Sequence, residues 1–270
     1  MTTLEEMSAY YGRGEEQERL SGDPAGELEF ERTKAIVRRH LPPAPAVVAD
    51  VGGGPGAYAL WLASLGYEVI HRDLMPLHVE QLRQAADGNP RISTAVADAR
   101  NLDIADGSVD AVLLLGPLYH LDRRQDRLRA LTSAHRVLRP GGPVVAAAIS
   151  RWAPRLDAIL RLRFDREFPG AEGLLPGIER TGHLPPLGSD QFTAYLHRPA
   201  QLRSELTAAG FRVSELVSVE GPAFLLGDLA ERLADDEGRR IVMETARALE
   251  RIPELLGIGP HLLIAARKPD

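Results

Sequence analysis

Val47-Val48-Ala49-Asp50-Val51-Gly52-Gly53-Gly54-Pro55-Gly56 is the stretch on which the fold turns. A short apolar run ends in an acid and passes into a turn with four glycines in five positions. Tyr58 to Leu65 then fits a helix closed by Gly66. Glycines at such a turn let the backbone approach a ligand with no Cβ in the way. The helix beyond it offers free N–H groups and a partial positive charge. The plain alternative is that these glycines only make a tight turn.

Outward from this stretch the chain alternates. Tyr67 to Arg72, Ile92 to Ala97, Val109 to Leu115 and Val144 to Ile149 read as strands. Between them Pro76 to about Ala86 and Arg123 to Leu138 read as helices. Strands alternating with helices imply crossover connections, hence a doubly wound α/β sheet that is mostly parallel. Phe211 to Val219 and His261 to Ala266 add two more strands around helical sequence from Ala223 to about Glu250, for seven in all. Before the alternation lies a polar, helical segment, with Glu27 to Leu41 as one helix ended by Pro42, Pro43 and Pro45. After it, Pro154 to Phe168 reads as an amphipathic helix, since Leu156, Leu160, Phe164 and Phe168 recur every four residues. Pro169 to Asp190 reads as a lid or binding loop, and Pro199 to Ala209 as a helix ended by Gly210. The expected organisation is an N-terminal helical flap (1–45), a ligand-binding core (46–150), a lid or substrate insertion (151–200) and a C-terminal completion of the sheet (201–270).

Composition narrows the function. The 270 residues carry 32 Lys and Arg against 38 Asp and Glu, a net charge of −6. That balance argues against a protein that coats nucleic acid, which needs a dense positive surface. With no cysteine, disulfides, thiolate metal sites and a Cys nucleophile are excluded. No apolar run reaches the roughly 18 residues of a membrane helix, and the Glu-rich stretch from Met1 to Leu20 does not read as a secretory signal. The expectation is a cytoplasmic protein with no membrane partner, a monomer or homodimer.

A dinucleotide fingerprint can be laid on Gly52, Gly54 and Ala57, but that match alone is weak. Three acids point elsewhere. Asp50, before the glycines, would repel a pyrophosphate and suits an ammonium group. Asp73 ends the second strand, where a carboxylate can accept from ribose hydroxyls. Asp98 follows the third, where it can accept from an adenine amino group. Together they match a ligand with an amine, a ribose and an adenine but no phosphate.

With these features the chain resembles the class I methyltransferases that use S-adenosylmethionine, over roughly residues 46–150 and more faintly to 267. The glycine segment resembles their first motif. His71-Arg72-Asp73-Leu74 and Asp98-Ala99 fall on the ribose and adenine motifs, and Leu138-Arg139-Pro140-Gly141-Gly142 resembles the turn before the fifth strand. The resemblance implies a Rossmann-like seven-stranded sheet whose last strand is antiparallel and lies beside the sixth. It also implies cofactor contacts from Asp50, Gly52, Gly54, Gly56, Asp73, Leu74, Asp98, Ala99 and Leu115. His71-Arg72 departs from the usual apolar strand; Arg72 is either a satisfied edge residue or a charge that biases the pocket. Tyr10-Tyr11-Gly12-Arg13-Gly14-Glu15, Glu27 to Arg32 and Val219-Glu220-Gly221-Pro222 are similar to a group of actinobacterial small-molecule methyltransferases.

Leu115-Gly116-Pro117-Leu118-Tyr119-His120-Leu121 follows the fourth strand, at the edge where such sheets bind ligands. The family's substrate-facing motif falls here. Tyr119 and His120 are the catalytic candidates, His120 as general base or as a positioning group, with helix capping as the structural alternative. Tyr11, Arg151 and His183 complete the expected substrate side, with Tyr10 and Tyr11 as a flap. No His, Asp or Glu cluster has metal-ligand spacing, so metal dependence is not expected. The reading is methyl transfer to an oxygen, nitrogen or carbon of a small-molecule acceptor. The alternatives are a methyltransferase acting on RNA or protein, a nicotinamide-dependent oxidoreductase, and a binding protein that kept the fold without catalysis.

Overall fold

The structure, a computed structural model, describes residues 10–12, 14–167, 169–186 and 193–270. Seven strands form one sheet: β1 (Val47–Val51), β2 (Glu68–Asp73), β3 (Ile92–Val96), β4 (Ala111–Leu114), β5 (Pro143–Ile149), β6 (Arg212–Ser218) and β7 (His261–Arg267). Their order is β3-β2-β1-β4-β5-β7-β6. The first five run parallel. β7 is antiparallel to both β5 and β6 and lies between them. The Rossmann-like sheet with an antiparallel last strand is therefore present, and the strand expected at Val109 to Leu115 is shorter because Val109 makes only an isolated bridge to Leu138.

Side chains alternate across a strand, so an all-apolar strand must be covered on both faces. On one face Ala49, Val51, Val112 and Leu114 meet Leu131, Ala134 and Val137 of α4 (Arg124–Val137) and Leu202 and Leu206 of α5 (Pro199–Ala208). On the other, Val48, Ala111 and Leu113 meet α1 (Pro24–Arg38), α2 (Ala57–Ser64) and α3 (Pro76–Ala86) through Ile36, Val37, Leu62 and Leu82. α1 starts three residues before the expected Glu27. Asp23 caps it, accepting from the Ala25 amide at 2.6 Å, and Pro24 suits its first turn.

The segment after β5 differs most from expectation. Pro154–Arg161 is a π-helix, with the Leu162 amide bonding Asp157 O at 2.9 Å, and Arg163 at φ 57° separates it from Phe164–Glu167. The four-residue spacing therefore lines no buried face: none of its side chains is buried, and Leu160 is 62% exposed. Phe168, the last member of that pattern, lies outside the described residues. The stretch read as a loop from Pro169 holds a helix, Leu175–Thr181, with Leu175 and Ile178 buried. A two-residue ladder follows it, pairing His183 with Tyr195 and Leu184 with Ala194. Among the described residues no helix is long and apolar enough to cross a membrane.

The N-terminal helix is bound to the C-terminal part by buried charge. Glu250, fully buried, accepts from Arg39 at 2.5 and 3.0 Å and from the buried Arg32. Glu250→Ala would strand the Arg32 guanidinium without its carboxylate. The expected cost is about 3–5 kcal/mol, read from urea unfolding; a loss under about 1 kcal/mol would mean that water replaces the partner.

Candidate functional site

All the parallel strands end at one edge of the sheet, and the strand order reverses between β1 and β4. A cavity of about 740 Å³ opens there. Its walls are the segments that follow the four strands: Gly52 to Pro55, Asp73 to Met75, Ala97 to Arg100, and Leu115 to Pro117. Of the expected cofactor contacts, Gly52, Gly54, Asp73, Leu74, Asp98, Ala99 and Leu115 line it. Gly56 does not. It caps α2, and a Cβ there would run into Leu82, 2.9 Å from Cγ, so its role is to let α2 pack on α3.

Asp50 is also not among the lining residues, which corrects the expectation of an acid aimed into the crevice. It is fully buried beneath the glycine turn, where a Cβ on Gly53 would land on its carboxylate and 2.6 Å from His71 Cδ2. Neither Asp50 oxygen has a hydrogen-bond partner among the described residues. Burial, with the nearby Asp73 charge, pushes its carboxyl up to about 7. His71 supports the turn from below. Its Nε2 lies 3.1 Å from Gly54 O, which can only accept, so Nε2 carries the proton and Nδ1 accepts from Thr94 Oγ1 at 2.9 Å. Burial lowers its imidazole to about 4, leaving the ring neutral. Arg72 is a satisfied edge residue, paired with Asp103 Oδ1 at 2.6 Å.

Asp73 receives three donors. Gly54 N reaches Oδ2 at 2.9 Å; Met75 N and His78 Nδ1 reach Oδ1 at 2.8 and 3.1 Å. Burial alone would raise this carboxyl, but the bonds from His78, Met75 and Gly54 hold it below its ordinary value. Asp98 stands at the cavity wall with Arg100, whose Nε lies 3.0 Å from each of its oxygens.

The far end of the cavity is aromatic. A one-turn helix, Pro117–His120, presents Tyr119 and His120, and Tyr11 comes down from the N-terminal segment. Tyr11 Oη is 2.7 Å from His120 Nε2, and its ring meets that of His78 edge-on at 4.9 Å. Burial lowers His120 to about 4 and raises the Tyr11 and Tyr119 hydroxyls above their ordinary value. Glu16 and Arg19 also line the cavity, and Arg19 bonds Glu16 at 2.7 Å and Glu29 at 2.7 and 3.2 Å.

His183 is not among the lining residues; its Nδ1 lies against Asp122, which is. Arg151 is elsewhere, which corrects its placement on the substrate side. It is 1% exposed and saturated by Leu196 O (2.8 Å), Glu179 O (3.1 Å) and Gln201 Oε1 (2.8 Å), so it ties the insertion to α5.

Two features escaped the sequence reading. His78 lines the cavity five positions after Asp73, a spacing across a strand end and a first helical turn that could have signalled a pair. Glu29, Glu220 and His261 converge to within 4.8 Å, though they lie far apart in the chain. That cluster is closed on itself: Glu29 takes Arg19, and Glu220 takes His261 Nδ1 at 2.5 Å. Burial opposes the imidazolium, but Glu29 and Glu220 raise His261 to about 9.

Residues 49–146 match the family described as a methyltransferase domain. The methyltransferase GfsG of Streptomyces halstedii is 34% identical over 131 residues, 47% of this chain and 46% of that protein. The O-methyltransferase resE of Aspergillus sclerotiorum is 26% identical over 244 residues, 87% of this chain and 82% of that one. The chain thus spans about half the length of a curated relative such as GfsG. A SAM-dependent methyltransferase structure from Methanosarcina mazei superposes with a TM-score of 0.59 at 19% identity, covering 87% of this chain and 97% of that one. Residues 49–146 thus carry a methyltransferase domain, on the sheet that S-adenosylmethionine-dependent methyltransferase structures share.

Two outcomes follow from the floor of the site. Gly53→Ala would drive a methyl into Asp50 and His71 and is expected to cost about 1–3 kcal/mol, together with most of the affinity for S-adenosylhomocysteine by calorimetry. Folded Asp50 keeps its proton up to about 7, whereas its ordinary value is 3.8. Rising pH between these values therefore destabilises the folded protein. In ligand-free protein Asp50→Asn should be more stable than wild type above pH 7, with the gap closing toward pH 4. A gap that does not change with pH would contradict the assignment.

Proposed function

We propose that the protein transfers the methyl group of S-adenosylmethionine to a small-molecule acceptor. The observation that carries this reading is the pair of carboxylates on the cavity wall beside the glycine turn, Asp73 at the end of β2 and Asp98 just after β3. Asp73 and Asp98 line the cavity, and Asp50 lies beneath the turn with both oxygens unpartnered among the described residues. Such a wall favours ammonium, hydroxyl and amino groups and opposes the phosphates of a dinucleotide. The residues therefore fit the adenosyl cofactor: Asp73 would hold its ribose, Asp98 its adenine amino group, and Gly52 and Gly54 would let it lie close against the backbone. When bound, the cofactor supplies a methyl already activated by a sulfonium.

What the chain must add is alignment, exclusion of water and a place for the acceptor's proton. Tyr11, Glu16 and Arg19 cover the cavity as a flap anchored by Glu29. Tyr119 and His120 form the acceptor wall. Neutral at working pH, His120 offers a base, and the acceptor's proton passes to its Nε2 through the Tyr11 hydroxyl, 2.7 Å away. His183, through Asp122, borders the acceptor's entrance. A cavity of about 740 Å³ has the size of a small-molecule site, and the net charge of −6 disfavours a nucleic-acid acceptor.

Thermal stability with S-adenosylmethionine, S-adenosylhomocysteine and NADH, each added alone, tests the cofactor. A shift with the two adenosyl compounds only is expected; a shift with NADH only would install the oxidoreductase reading. Asp73→Ala should weaken S-adenosylhomocysteine by about 1.5–3 kcal/mol. With an acceptor found by screening, Tyr11→Phe and His120→Ala should lower kcat by roughly 10²–10⁴ while leaving cofactor affinity nearly unchanged. His120 should add no pH limb near 6.5; activity falls only as pH drops toward about 4.

A further inference from the structure

Tyr119 and His120 stand on a helix of four residues, Pro117–His120. So short a helix has no stability of its own, and the direction of its side chains depends on what holds its two ends. At the start, Pro117 lies against the glycine turn, where a Cβ on Gly52 would fall 2.5 Å from its Cδ. At the other end the carbonyls of Leu121 and Asp122, two residues that line the cavity, accept from a single nitrogen, Nη1 of Arg127, each at 2.8 Å.

Arg127, in the first turn of α4, is 1% exposed. The rest of its guanidinium is fixed as well. Its Nε lies 3.2 and 3.0 Å from the two oxygens of Glu205 on α5, and its Nη2 lies 2.8 Å from Glu205 Oε1. Burial alone would raise the Glu205 carboxyl, but bonds from His197 and Arg127 hold it well below its ordinary value. The Tyr195 ring covers the same guanidinium, with Cζ 3.5 Å from the ring centroid, and Tyr195 belongs to the short ladder of the insertion. A planar fork serves two carbonyls, a carboxylate and a ring face at once, which a lysine ammonium does not. Apolar side chains would join α4 to α5 without the cost of burying charge. What they would not do is grip the two carbonyls that follow His120.

We propose that Arg127 is a positioning residue for methyl transfer: it fixes the end of the one-turn helix so that His120 Nε2 meets Tyr11 Oη, and through Tyr195 it ties that geometry to the insertion. This rests on the acceptor wall assigned above. His120 directly precedes Leu121, so a shift of the Leu121 carbonyl turns the imidazole away from its 2.7 Å contact with Tyr11.

The test is the imidazole ¹⁵N spectrum of the full chain. Tyr11→Phe removes the hydroxyl that faces His120 Nε2 and moves that signal. Arg127→Lys keeps the charge and loses the fork. It should move the His120 signal too, and adding Tyr11→Phe to it should then produce less than about half of the shift seen in wild type. Arg151→Lys is the control. Arg151 is equally buried and also ties the insertion to α5, but its bonds go to Leu196, Glu179 and Gln201, so the His120 signal should stay in place. An unmoved signal in Arg127→Lys, or an equal displacement in Arg151→Lys, overturns the proposal. Should Arg127→Lys fail to fold, Tyr195→Leu decides: it takes the ring face from the guanidinium, and an unmoved His120 signal overturns the proposal. With an acceptor, Arg127→Lys should lower kcat by about 10–100-fold while S-adenosylhomocysteine affinity by calorimetry stays the same, and a wild-type kcat overturns the positioning role. No binding of S-adenosylhomocysteine to wild type overturns the methyl-transfer reading instead, on which the His120 spectrum does not depend.

Discussion

The carboxylate of Asp73 holds three parts of the site in one geometry. It accepts from the amide of Gly54 in the glycine turn, from Met75 at the start of α3, and from the His78 ring. Because it is ionised and nearly buried, each of those bonds is charge-assisted and strong. The turn after β1 is thereby pinned to the end of β2, and the His78 ring is held in one orientation. Asp73 also acts at a distance: its charge adds to burial in raising Asp50, so the two acids ionise differently at neutral pH.

Beneath that network the turn needs contact rather than charge. Gly53 lies directly on Asp50 and His71, and His71 carries the Gly54 carbonyl. The floor is thus a stack of strand residues on which only a residue without a Cβ can rest. Site geometry built this way is inherited from the sheet, whose register is set by burial on both faces.

The roof is held differently. Tyr11, Glu16 and Arg19 belong to a polar segment with little apolar surface to bury, and ion pairs anchor it. Arg19 grips Glu29 on α1, and Glu29 stands near the His261–Glu220 pair at the start of β7. Arg32 and Arg39 bind the same helix to Glu250. The floor is thus held by backbone contact and the roof by salt bridges.

Strand and helix positions in the core were legible from the chain alone, because burial on two faces writes continuous apolar runs and glycine and proline mark their ends. The helix expected from Pro76 to about Ala86 is present, and the proline at its first turn fixes where it starts. The segment after Ser150 was not legible, since its four-residue period falls on a π-helix that buries none of its side chains fully. Composition and local pattern by themselves determined the doubly wound sheet, the glycine turn and the acids at the strand ends, all consequences of short-range periodicity. Only the tertiary structure decided which polar groups meet. It put Asp50 under the turn, drew Arg151 into the scaffold of the insertion, and joined Tyr11 to His120. Tyr11 and His120 are 109 positions apart in the chain, and no local pattern records a contact made by chain folding over such a distance.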